Sequence, residues 1–491
     1  MEESKKLNLE FQGNIILVLF LNAIIKPLYL LGIDRGVQNM VPPEDYGVYF
    51  TLFNLSFIFQ IFADFGLQAW LTKTIAQNPL ETKGKYPYFL SLKGLLSLLY
   101  FILTGMVAYF LGFWSKYPFL FTLILCSQII NSFLLFLRAT ISGLGFYRFD
   151  SYLSITDRGI SILIMGFFLC IPEYQSKITI ILFSIVQLSA LLLSSTIAIY
   201  FLSKNAYYFT PKFDFKTLKT LLLEGLPYAV LVLLMSMSSR IDTLIIPFFS
   251  SEKFNSSAIY AGSFRILEAI NIVGYLFAGL LLPMFSKSIK QFEITAKLAN
   301  MAIRLLLSII IPLAISFSIL SESIIPLLYK NASHDMVKTF SILILTLIPM
   351  SGNYIYGTLL TATGSLWAMN RIFVLILVIN IVLIILLLPV LSIPGVALAS
   401  LITQSMALFL QINLCLKMKV VKFSISLVLR IIIFSLITGL SIISMKYFLP
   451  FTLANLPLFI PTVLSLTGIA MVAAGMINLK EWRHLYYETI S

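Results

Sequence analysis

Charge is what this sequence is shortest of. Only 11% of its 491 residues are Asp, Glu, Lys or Arg, whereas 59% are hydrophobic and the mean hydropathy is +0.96. A soluble domain keeps a far larger charged fraction on its surface. The scarcity therefore excludes the string of soluble domains that length alone would suggest, and the polar segments are only short loops between apolar runs. Cysteine is scarce as well. Cys126, Cys170 and Cys415 lie in or beside apolar runs, where they read as small hydrophobes rather than a disulfide framework. The two histidines, His334 and His484, stand in separate polar segments. With no HxxxH or CxxC spacing, no metal site is indicated, and with no GxxxxGK[ST] run there is no nucleotide motif; no cofactor is expected. A cleavable signal is missing too. Residues 1–14 are polar, and the apolar run to about residue 33 is long for a signal core and lacks a small-residue cleavage site, so it reads as a first spanning helix.

What the chain does have is long apolar runs. A bilayer core about 30 Å thick takes roughly 20 apolar residues per helix. On that measure there are fourteen spans, near 14–33, 46–68, 88–112, 117–141, 150–171, 178–202, 220–249, 257–284, 299–329, 339–363, 372–391, 394–416, 425–445 and 455–478. The seventh and ninth exceed the required length, so they tilt or continue past the membrane. The net charge of +13 is then topological: Lys and Arg collect in cytoplasmic loops, and no nucleic-acid partner is expected. With a cytoplasmic N-terminus, the inner segments carry nineteen basic residues and the outer loops seven. That asymmetry places both termini in the cytoplasm.

Three pairs of residues recur at similar offsets: Tyr49 and Tyr260, Gly145 and Gly364, Gln187 and Gln404. They suggest that helices 1–6 (residues 1–203) match helices 7–12 (204–420), leaving two further helices and a cytoplasmic tail in 421–491. An even-numbered repeat puts both copies in one orientation, about an axis along the membrane normal.

Eight basic residues fall inside spans, where charge is costly. Lys93, Arg138, Arg304 and Arg430 lie near cytoplasmic ends and are expected to snorkel to the interface. Lys26, Arg158, Arg240 and Arg265 lie deeper. Arg240, Asp242, Arg265 and Glu268 share one depth on helices 7 and 8, roughly 10–17 Å below the outer surface. Arg265 and Glu268 are spaced for an i,i+3 pair, whereas Arg240 and Asp242 each need a partner elsewhere. Glu224 falls on the same stripe of helix 7 as Asp242; it forms either a cavity wall or part of the inner interface. Lys26 precedes Pro27, which bends helix 1 beside a buried cation. Asp64, in helix 2, and the Asp157–Arg158 pair, in helix 5, complete the candidates. The phenylalanines of helix 2 (Phe53, Phe57, Phe59, Phe62, Phe65) read as packing and lipid contact.

The stretch from Pro43, PEDYGVYFTLFNLSFIFQIFADFGLQAWLTKTIA, resembles the second-helix region of the polysaccharide transporter (Wzx-type flippase) family. So does SRIDTLIIPFF followed by AIYAGSFRILEAINIVGYLFAGLLLPMFSKS, across helices 7 and 8. That family belongs to the multidrug/oligosaccharidyl-lipid/polysaccharide exporter superfamily. The resemblance implies an all-α membrane protein with two six-helix lobes around a central cavity and two C-terminal helices. It implies a non-enzymatic flippase, working by alternating access in the bacterial inner membrane. The implied substrate is a polyprenyl-diphosphate-linked oligosaccharide such as an O-antigen unit. The implied partners are membrane lipids, H+ or Na+ as coupling ion, and a polysaccharide polymerase with chain-length proteins. Cavity cations would hold the diphosphate; the matching positions are Lys26, Arg240 and Arg265, with Arg158 as a further candidate. These are expected to line one cavity. The coupling candidates are Asp242, Glu268, Glu224 and Asp64. Two other readings compete: an organic-cation antiporter of the same superfamily, and a membrane-embedded glycan polymerase. The first would favour acid over base at depth, and the second would call for a substantial outer loop.

Overall fold

In hydrocarbon no water is present to satisfy backbone N–H and C=O groups, so each spanning segment must bond internally as a helix. The computed structural model describes residues 21–68, 71, 75, 79–204, 210–288, 291–422, 424–448 and 455–476, and among these the chain is helical with no strand. Twelve helices among the described residues are long and apolar enough to cross a membrane; the protein is a multi-pass membrane protein. They are α2 (Pro43–Asp64), α3 (Pro79–Phe110), α4 (Pro118–Gly143), α5 (Tyr147–Cys170), α6 (Ile180–Lys204), α7 (Phe215–Phe249), α8 (Phe254–Ser288), α9 (Phe292–Ile319), α10 (His334–Ala362), α11 (Leu366–Leu391), α12 (Ile393–Lys417) and α13 (Ile425–Phe448). Two more stand where spans were expected: α1, described over 21–38, and α14 (Leu456–Ala473).

The expected excess length of spans seven and nine resolves differently. α7 continues as one helix of 35 residues, about 52 Å at 1.5 Å per residue. The run expected at 299–329 is instead two helices. α9 ends at Ile319, and a separate helix of 8 residues, Ser321–Leu328, follows Leu320.

Helix ends follow from local chemistry. Pro43, Pro118 and Pro394 stand in first turns, where the missing N–H has no partner to lose. Gly145 (φ +87°) and Gly364 (φ +77°) terminate α4 and α10 in the left-handed conformation. In each case the next residue's N–H reaches back five residues, Phe146 to Ile141 and Ser365 to Leu360, both at 3.2 Å, closing a Schellman motif.

Contacts group residues 1–261 and 262–491 into two compact units, with the division inside α8. In the first, α6 packs on α4 and α5, and α7 packs along α2. This packing places α7 with the first unit, beyond the 203/204 repeat boundary. In the second, α12 packs on α10 and α11, and α9 packs on α10 and α13.

Candidate functional site

In the first unit, the sequence around Lys26 produces an irregular helix. Pro27 has no backbone N–H to donate, and α1 widens into a π-turn over Tyr29–Asp34, a distortion that recurs at functional sites. Side chains from α5 and α6 hold this turn. Asn22 Nδ2 donates to Ser154 Oγ at 3.0 Å, and Gln187 Nε2 donates to Tyr29 Oη at 2.7 Å and to Tyr49 Oη at 2.9 Å. The Arg158 guanidinium lies 4.5 Å from the Tyr29 ring centroid, within cation–π range, and pairs with Asp157 at 3.4 Å. Its side chain is still 34% exposed. Lys26 is half-buried and feels the charges of Arg158, Arg138 and Asp157. Arg138 is fixed by Asp150, which accepts from its Nε at 2.7 Å and its Nη2 at 3.4 Å. Lys26 itself makes no hydrogen bond or ion pair among the described residues. The cluster thus sets three cations against two carboxylates. Its surplus positive charge suits an anion with several oxygen acceptors.

Arg240 and Asp242, which cannot face each other, find partners in different directions. Arg240 Nη1 donates to Asn54 Oδ1 at 2.6 Å, and its guanidinium sits 4.1 Å from the centroid of Phe57. Asn54 and Phe57 are three residues apart and so share one face of α2; Phe57 is therefore a cation platform as well as packing. Asp242 is 3% exposed and accepts from Tyr260 Oη at 2.7 Å. Asp34, on α1, is buried and accepts from Tyr46 of α2. A carboxylate near the end of the first helix is thus met by a tyrosine near the start of the second, and the same arrangement recurs between α7 and α8.

Arg265 and Glu268 lie in the second unit. They form the expected i,i+3 pair, with Arg265 Nη1 2.9 Å from Glu268 Oε2 and side chains 4% and 24% exposed. Lys26 and Arg158 therefore share one cluster, Arg240 has its own partners in the same unit, and Arg265 is occupied by Glu268. Glu224 is on α7, but its side chain lies outside the described residues.

One expectation about snorkelling is corrected. Lys93 is 1% exposed: its Nζ donates to Ala63 O at 2.7 Å and Ser132 Oγ at 2.6 Å, and stands 3.5 Å from Asp64 Oδ1. A full set of oxygen partners removes its need to reach water. Arg138 pairs with Asp150 in the first turn of α5, and its side chain is partly exposed. Arg430 donates to Gly475 O at 3.0 Å, at the end of α14, and Arg304 is half-buried on α9. Sequence reasoning passed over Asp34 because it lies one residue beyond the expected first span, 14–33. It passed over Asn54, Tyr29 and Gln187 because neutral polar residues show their role only through their partners.

A family profile described as polysaccharide biosynthesis protein matches residues 14–289. Among solved structures, the lipid II flippase MurJ in an inward closed conformation is 18% identical, with 99% of each chain covered and a TM-score of 0.65. An inward-facing multidrug resistance MATE family transporter of the MOP superfamily is 16% identical, covering 83% of this chain and 98% of its own, with a TM-score of 0.65. A MOP superfamily transporter from Pyrococcus furiosus is 13% identical, covering 83% of this chain and 95% of its own, with a TM-score of 0.61. At such identities the likeness concerns the fold. No curated protein matches the chain.

Proposed function

The chain belongs to the polysaccharide biosynthesis protein family, and from that premise we propose that it is a flippase for a polyprenyl-diphosphate-linked oligosaccharide. The direction is inner to outer leaflet of a bacterial inner membrane, by alternating access between two six-helix lobes. No bond is made or broken; the protein moves its substrate. The observation that carries this reading is the cationic cluster of Lys26, Arg158 and Arg138. A diphosphate loses its hydration in hydrocarbon, and charge-assisted hydrogen bonds to Lys26 and Arg158 offset part of that loss. The prenyl tail needs no polar site because it remains in lipid. Asp242 and Glu268 are the proposed coupling carboxylates, for H+ or Na+.

The test is lipid-linked oligosaccharide accumulating on the cytoplasmic side in cells carrying Lys26→Gln, Arg158→Gln or both, with membrane abundance measured in parallel. Each hydrogen bond to a charged group contributes about 1.5–3 kcal/mol, so export should fall about tenfold or more per substitution. Wild-type export by the double variant at normal abundance would remove the cluster as the substrate site.

The multidrug transporter fold supports a second reading, an organic-cation antiporter. A surplus of positive charge at Lys26 opposes it, because a cationic drug would be repelled there. Export of cationic dyes in place of glycolipid would favour that reading.

A further inference from the structure

The buried ammonium of Lys93 takes no part in the site above, and its surroundings have the chemistry of an ion site. Three hard oxygens surround it: a backbone carbonyl (Ala63, 2.7 Å), a hydroxyl (Ser132, 2.6 Å) and a carboxylate (Asp64, 3.5 Å). They come from α2 and α4, and the ammonium is delivered by α3. Asp64 Oδ1 is buried, and the Lys93 ammonium 3.5 Å away is the positive charge set against it. Carbonyl, hydroxyl and carboxylate oxygens are the ligand types that hold hard cations. The carbonyl lies beside the end of α2, where Phe65 (φ +52°) and Gly66 (φ +78°) break the helix and the terminal carbonyls favour a cation. The neighbouring walls are apolar, with Phe89, Leu92, Leu96, Phe136 and Leu137 in the same core.

We propose that this pocket is a monovalent-cation site whose resident cation is the chain's own Lys93 ammonium, and that a free Na+ or ammonium ion occupies it once the tether is removed. Lys93→Ala opens the space of the side chain to an ion and its water, while Asp64 keeps the charge that calls for one. The wild-type pocket is full, so its stability is indifferent to the choice of cation. This holds whatever the protein transports.

The experiment compares full-length wild type, Lys93→Ala and Lys93→Ala/Asp64→Asn, synthesised in a cell-free system into lipid nanodiscs at pH 7. NaCl, NH4Cl and choline chloride are used at equal ionic strength. Lys93→Ala should melt about 3 °C or more higher in Na+ or ammonium than in choline, by linkage of ion binding to folding. Wild type and the double variant should melt at the same temperature in all three salts. Identical melting of Lys93→Ala in all salts would overturn the proposal, as would a salt response that survives Asp64→Asn or that wild type shares. Should Lys93→Ala yield no folded protein in choline, recovery in Na+ or ammonium supports the site, and failure in every salt overturns it.

Discussion

At Gly47 an added Cβ would lie 1.9 Å from the Phe254 carbonyl oxygen and 3.2 Å from the Ala258 nitrogen, so α2 and the start of α8 meet backbone to backbone. Gln38 reinforces this contact by donating to Ala258 O at 2.9 Å. Backbone atoms cannot step aside as a side-chain tip can, and overpacking of this kind costs about 1–3 kcal/mol or more. Gly94 is the contrast: it is inside α3, exposed, with nothing within 4 Å of an added Cβ. Gly47→Ala should lower thermal stability and membrane abundance, while Gly94→Ala should be neutral or gain about 0.5–1 kcal/mol. Paired melting curves check both. The Arg265–Glu268 pair yields a prediction at the same scale. Removing one member of a buried pair costs about 3–5 kcal/mol, whereas replacing both with uncharged residues of similar volume is often close to neutral. Arg265→Met alone should therefore reduce abundance more than Arg265→Met/Glu268→Gln. An equally unstable double variant would show that other contacts, not the pair, hold this part of α8.

Among the elements, the joints after α4 and α10 are the most informative. Leu144 and Thr363 have φ, ψ of −76°, −4° and −74°, −10°; after the left-handed glycine, Phe146 and Ser365 have −81°, 53° and −81°, 41°. The chain takes the same path at positions 219 residues apart (Gly145 and Gly364). The other repeat positions differ in their partners: Gln187 of α6 bonds Tyr49 of α2, whereas Gln404 of α12 accepts from Asn353 of α10 at 2.9 Å and Tyr260 donates to Asp242. Both glycines have open space around an added Cβ, so alanine would bring backbone strain alone, about 1–2 kcal/mol. Gly145→Ala and Gly364→Ala should destabilise by similar amounts in unfolding experiments. A much larger loss at one joint would mean that the two are not mechanically equivalent.

At the scale of the whole molecule, the loop charges predict that both termini are cytoplasmic. Tags at each end should resist labelling from the periplasm in spheroplasts and become reactive after lysis. One exposed terminus would mean an odd number of spans and would overturn the six-helix repeat. Twelve of the expected spans reappear as helices of sufficient length, because length and hydropathy alone decide whether a segment can enter a bilayer. The ninth run misled because apolar residues resume at Ile324 after only three polar ones, Ser321, Glu322 and Ser323, so average hydropathy carries across the point after Leu320 where the backbone breaks.

The depth of a charge was legible from its position along a helix, and so was the Arg265–Glu268 pair, because i,i+3 neighbours on one helix meet whatever surrounds them. Position could not say which helix stands opposite. Lys93 looked free to reach the interface until Ala63, Asp64 and Ser132 were placed around it by α2 and α4. Arg240 needed a partner that its spacing from Asp242 could not supply, and α2 brings Asn54 and Phe57 to it; Asp34, beyond the expected first span, is met by Tyr46. The sequence by itself thus determined that the chain spans the membrane many times and which charges lie deep, since both depend on local composition and a fixed rise per residue. Only the tertiary structure decided which of those charges are neutralised and which, like Lys26, remain available to a ligand, since that depends on oxygens and rings supplied by residues distant in the chain.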